Sequence, residues 1–82
     1  MNPRVKLVEA RDDYTLLLTF TNEEKKIFDI KPHLDFGIFQ TLKNLSLFKK
    51  AFVTQGTVAW PGDLDICPDT LYENSLEAKQ AA

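Results

Sequence analysis

The chain has 82 residues, 44% of them hydrophobic, 27% charged and 11% aromatic, with a formal net charge of -2. That length allows one domain, residues 1–82, with one modest core, because so short a chain buries only about 60 to 65% of the surface it exposes when unfolded. The charge gives no electrostatic footprint for a polyanion, the single Cys67 excludes an internal disulfide, and no second thiol or His stands at zinc-finger spacing.

Residues 4–11 and 14–21 alternate as strands around Asp12-Asp13, read as a two-residue turn, and residues 25–30 follow after Asn22-Glu23. Two-residue loops at both places set Leu18 opposite Leu7 and Ile27, and Leu17 opposite Val8 and Phe28. One face then carries Val5, Leu7, Leu16, Leu18, Phe20 and Ile27. The other carries Val8, Ala10, Leu17, Phe28 and Ile30. With apolar residues on both faces, the second patch needs a cover, either the rest of the chain or another molecule.

After Pro32, residues Leu34, Ile38, Phe39 and Leu42 fit a helical stripe that Gly37 interrupts, which predicts short helical turns. Asn44 stops this segment, and Ser46 is the predicted cap of a further turn through Leu47, Phe48, Lys49 and Lys50. Residues 51–54 and 57–60 flank Gln55-Gly56, a compact hairpin signal. Pro61-Gly62 breaks the second strand, and Leu64 and Ile66 alternate with Asp63 and Asp65 as a short edge segment. Asp69 or Thr70 is the predicted cap of a helix running toward Ala78, with residues 79–82 fraying. The fold class is therefore α+β: an antiparallel three-stranded meander, short helical segments, then a β-hairpin and a short C-terminal helix.

Residues 59–73, A-W-P-G-D-L-D-I-C-P-D-T-L-Y-E, invite a chemical reading. Asp63, Asp65, Asp69 and Glu73 offer oxygens to a hard cation, but an EF-hand-like count from Asp63 puts Cys67, Pro68 and Asn74 where a ligand, the turn glycine and the bidentate glutamate belong. Paired carboxylates acting as acid and base need a cleft that a chain this short has few residues to build. Cys67 with His33 as nucleophile and base is outweighed by a small apolar cysteine and a loop histidine. Phosphate-loop, serine-elbow and metalloprotease motifs are missing. No catalytic, cofactor-binding or metal residue is expected, and the protein is not expected to be an enzyme. The structural reading gives Trp60 a buried area, Pro61-Gly62 a turn and Asp69 a cap.

The same stretch resembles the signature of the family known as domain of unknown function 2442 (DUF2442). The residues that carry the likeness are Trp60, Pro61, Asp65, Ile66, Pro68, Asp69, Leu71 and Tyr72, with Phe28-Asp29-Ile30 resembling the family's end of the third strand. The likeness covers nearly the whole chain, and it departs at Asn22-Glu23, where the family tends to have Asn-Gly. It implies a small prokaryotic protein, many relatives being the antitoxin half of a toxin-antitoxin gene pair, some with an added helix-turn-helix domain for which this chain has no residues.

The expected function is thus a non-enzymatic, antitoxin-like interaction module that binds a small protein partner encoded by a neighbouring gene. Leu17, Phe28 and Phe48 are the expected partner-binding residues. Binding is expected to draw on the acidic balance of residues 51–82, one Lys against five acids. The alternatives are an autoregulatory nucleic-acid-binding protein, using Lys43, Lys49 and Lys50 beside Phe48, and a small-ligand or metal-binding domain. Nucleic-acid binding by this chain alone is not expected, and a homo-oligomer is compatible with the pattern. With no apolar run long enough for an export signal or a membrane span, the expected location is the cytoplasm.

Overall fold

The computed structural model describes residues 2–77, apart from the side chain of Ile38. Its first strands, β1 (Val5–Ala10), β2 (Thr15–Phe20) and β3 (Lys25–Asp29), form the antiparallel meander that the alternation predicts. The register differs. Each hairpin has a three-residue loop, closed in the first by Arg11 N donating to Thr15 O (2.9 Å) and in the second by Phe20 N donating to Glu24 O (2.9 Å). The last loop residue is left-handed in both, Tyr14 at φ 64° and Glu23 at φ 72°, the arrangement in which a type I turn is followed by a bulge. One extra residue per loop slips the pairing by one, and a slip of one exchanges the faces. Leu18 therefore lies opposite Val8 and Lys26, and Leu17 opposite Glu9 and Ile27.

A bulge completes the change. The register shifts between Val5 and Leu7, so that Val5 pairs with Phe20 and Leu7 with Thr19 while Lys6 is the extra residue. Val5 and Val8 consequently both face the core, and Leu7, which simple alternation places beside Val5, points away from it.

Asp29 ends β3 by accepting from the Lys31 amide (2.9 Å), and two 3-10 turns follow, Lys31–His33 and Gly37–Lys43. Asn44 then caps α1 (Leu45–Phe48), its side-chain oxygen accepting from the Ser46 and Leu47 amides. The predicted cap, Ser46, lies inside the helix, because the extended residue before the first turn is Asn44.

Strands β4 (Phe52–Thr54) and β5 (Thr57–Trp60) meet at Gln55-Gly56, both residues at positive φ, the two-residue turn expected there. The short edge strand β6 (Leu64–Asp65) pairs with β5. Helix α2 (Pro68–Asn74) starts earlier than predicted, since Pro68 occupies the first turn and Cys67 precedes it with no side-chain cap. Asp69 and Thr70 are thus inside the helix and do not cap it. The helix stops at Asn74, short of the predicted Ala78, and β7 (Leu76–Glu77) pairs with β3 as a fourth strand that the sequence reading lacks. The predicted fraying of residues 79–82 lies outside the described residues.

The two sheets have strand orders β1-β2-β3-β7 and β4-β5-β6. They share one core: Leu16, Leu18, Phe20 and Phe28 from the first sheet, Val58, Trp60 and Leu64 from the second, and Leu42, Phe48 and Leu71 from the helical segments.

Candidate protein-binding surface

The residues of the 59–73 stretch divide between core and surface. Trp60, Ile66 and Leu71 are buried. Trp60 Nε1 donates to Phe48 O (2.8 Å) and its ring stacks on Phe48 at 6.1 Å, which ties the second sheet to α1. Tyr72 ties α2 to the β2–β3 hairpin: its hydroxyl donates to Glu24 Oε1 (2.5 Å), its ring meets Phe20 edge-on at 5.0 Å, and Lys26 Nζ lies 4.0 Å above the ring while donating to Tyr72 O (3.0 Å). The hydrogen bonds from Tyr72 and then Asn22 hold the Glu24 carboxyl below its ordinary value, and the same Glu24 bond pushes the Tyr72 hydroxyl up.

Pro61, Asp65 and Asp69 are exposed. Asp69 and Glu73 both accept from Asn2 Nδ2, at 3.3 and 3.1 Å, which fastens the N-terminal segment to α2. Among the described residues no group of three or more His, Cys, Asp or Glu is placed to hold a metal ion. His33 packs against Phe28 and Phe39, with ring centroids 5.4 and 6.4 Å away, while Cys67 is exposed at the start of α2.

Of the expected partner-binding residues, Phe28 and Phe48 are buried in the core, and only Leu17 lies toward solvent. The correction follows from the register: the face predicted to hold Leu17 together with Phe28 is two faces, because the slipped pairing sets Phe28 beside Leu16 and Leu17 beside Ile27. Phe48 turns inward because α1 is one turn long and lies against Trp60 and Tyr14.

Among the described residues, the outer face of the larger sheet is left open. One row crosses all four strands as Glu9, Leu17, Ile27 and Leu76, and the next holds Leu7, Thr19 and Lys25. Leu7 is 59% and Leu76 68% exposed, with Leu17 and Ile27 half-buried between them. At strand spacings of about 4.8 Å and about 3.3 Å per residue, each residue on one face covers about 30 Å², so these seven positions span roughly 220 Å². Leu7 and Ile27 were legible as apolar strand residues assigned to the wrong side. Leu76 had no such signal, since β7 is only two residues long. Elsewhere on the surface, Lys43 is paired with Asp35 (2.9 Å) and Lys49 with Asp12 (2.6 Å).

Two antiparallel sheets around a shared core, with an apolar outer face on the larger one, define a small α+β protein. The chain belongs to the family described as "Protein of unknown function (DUF2442)", whose model matches residues 5–77. Comparison with curated proteins and with solved structures gave no match. Among the described residues no helix is long and apolar enough to cross a membrane.

Proposed function

We propose that the protein is a non-enzymatic interaction module of the prokaryotic cytoplasm that binds a small protein partner, the product of a neighbouring gene, through the outer face of its larger sheet. The observation that carries this reading is the contiguous set Leu7, Leu17, Ile27 and Leu76, two of them more than half exposed. A contiguous exposed apolar patch rimmed by polar residues is a feature of interaction sites. Here the half-buried Leu17 and Ile27 give a firm floor, with Glu9 and Lys25 as a charged rim. The resemblance to antitoxin halves of gene pairs gives the reading its form: the protein masks a toxic partner. A protein partner is favoured over nucleic acid because the net charge is -2 and two of the three candidate lysines sit beside Asp12 and Asp35.

Co-expression with the product of the adjacent reading frame tests this. The two proteins should copurify, and the neighbour should arrest growth only when expressed alone. The Leu17→Lys, Leu76→Lys double variant should keep its circular dichroism spectrum and lose about tenfold or more in affinity, since anchors of this kind dominate small interfaces. A complex that survives the double variant, or a salt-sensitive promoter complex with no binding to the neighbour, would overturn the proposal.

A further inference from the structure

The smaller sheet has an outer surface of a different character. Its register aligns Phe52, Ala59 and Asp65 across β4, β5 and β6. Because the middle residue is alanine, this row is a trough: Phe52 forms one wall and Asp65 the other, with Ala59 as the floor. The walls are about 10 Å apart, two strand spacings. The Pro61-Gly62-Asp63 turn closes one end, and the whole recess has a volume of about 380 Å³. Ala59 is buried although it faces away from the core, which shows how closely its neighbours flank it, and Phe52 is 45% exposed. The carboxylates of Asp63 and Asp65 are exposed and have no hydrogen-bond or ion-pair partner among the described residues, whereas Asp12, Asp29 and Asp35 each pair with a lysine.

We infer that this trough receives an arginine side chain presented by a protein partner. The aliphatic stem would lie over Ala59 against the Phe52 ring, and the guanidinium would reach the Asp65 and Asp63 carboxylates at the closed end. An aromatic wall beside free acids selects a cation with an apolar stem, since a positive charge is attracted to the ring face and to the carboxylates together. Arginine fits better than lysine because a planar, weakly hydrated guanidinium stacks on a ring and meets a carboxylate in two places. A neutral apolar occupant would leave both carboxylates desolvated without a partner. The trough lies on the other sheet from the surface in the proposed function, so it stands or falls independently of it.

The test is an NMR titration of the intact protein with acetyl-Gly-Arg-Gly-amide, with its citrulline counterpart as a neutral control of nearly the same shape. The amides of Phe52, Thr54, Ala59, Asp63 and Asp65 should shift together and saturate in the millimolar range, as expected for one side chain, and the citrulline peptide should bind about tenfold more weakly or worse. Asp63→Asn with Asp65→Asn, and separately Phe52→Ala, should each abolish saturation while leaving the rest of the spectrum in place. The inference is overturned by equal binding of the two peptides, or by no shift at roughly 20 mM peptide. It is also overturned by shifts spread equally over Asp69 and Glu73, or by loss in the aspartate variant with no loss in Phe52→Ala, since either would mean diffuse charge attraction without a trough.

Discussion

Two left-handed residues show how local geometry sets stability here. Gly56, at φ 78°, donates nothing to the core, yet a Cβ built on it would stand 2.9 Å from Arg4 Cβ, because Val5 N donates to Gly56 O (2.8 Å) and draws β1 onto the turn. Strain and contact act together, so Gly56→Ala should lower stability by about 1–3 kcal/mol in urea denaturation; an unchanged midpoint would show that β1 and this turn do not approach so closely. Glu23, at φ 72°, is the opposite case, a side chain where glycine is easier. Glu23→Gly should raise stability modestly, by up to about 1 kcal/mol, because the exposed Lys6–Glu23 pair it removes is worth little. The pH dependence is also local. Asp13, held down by the Thr15 hydroxyl, Glu23, held down by Lys6, and Glu24, held down by Tyr72, contribute stability above the ordinary carboxylate values that is lost as pH falls through their lowered folded values. Tyr72 is raised from 10.0, so its contribution is present below that pH and lost as pH rises through the higher folded value. The denaturation midpoint should therefore be flat between roughly pH 5 and 9 and fall on both sides. Glu24→Gln should shrink both limbs, because Glu24 is one end of each effect; two unchanged limbs would mean that Tyr72 and Glu24 are not paired in solution.

At the scale of elements, sequence and structure agree where punctuation and side-chain chemistry point the same way. Gln55-Gly56 makes a two-residue turn, Gly56 supplying the positive φ that its second position needs, and Gly37 with Asn44 divides the middle of the chain into short turns. The differences in strand pairing come from hidden loop residues. Tyr14 and Glu23 take the left-handed positions that glycine or asparagine normally announces, and each makes a contact with a distant part of the chain: Tyr14 packs its ring at a tilt against Phe48, with centroids 5.3 Å apart, and donates to Lys43 O, and Glu23 accepts from Lys6 Nζ (2.7 Å). Loop length fixes register, so each hidden residue exchanged the faces of a strand, and the Lys6 bulge did the same inside β1. The apolar content of the sheet was therefore legible, but its sidedness was not. That is why Leu17 survives as a surface residue while Phe28, its supposed companion, is core. Strand β7 escaped because two residues carry no period, and α2 was misplaced because Pro68 could be read as preceding a helix that it starts.

At the scale of the whole molecule, the question is whether two sheets make one folding unit. The structure says that they do, since the core runs without a break from Phe20 and Phe28 through Phe48 to Trp60 and Leu64, and Val5 N is bonded to Gly56 O across the gap between them. A chain of this length has a total stability of about 4–12 kcal/mol, too little to support two independent cores. Trp60 is the single tryptophan and sits 1% exposed between the smaller sheet and α1, so its fluorescence reports one half of the molecule, while amide circular dichroism reports the whole. The two signals should follow one transition in urea, with the same midpoint and slope, as expected when no intermediate is populated. Phe48→Ala should move both together, because it opens a cavity under Trp60 and takes about 3–5 kcal/mol from a small total. Tryptophan emission that shifts at lower urea than the circular dichroism change would mean that the β4-β5-β6 sheet detaches first from a larger sheet that stays folded. In that case the trough on the smaller sheet would open and close independently of the apolar face on the larger one.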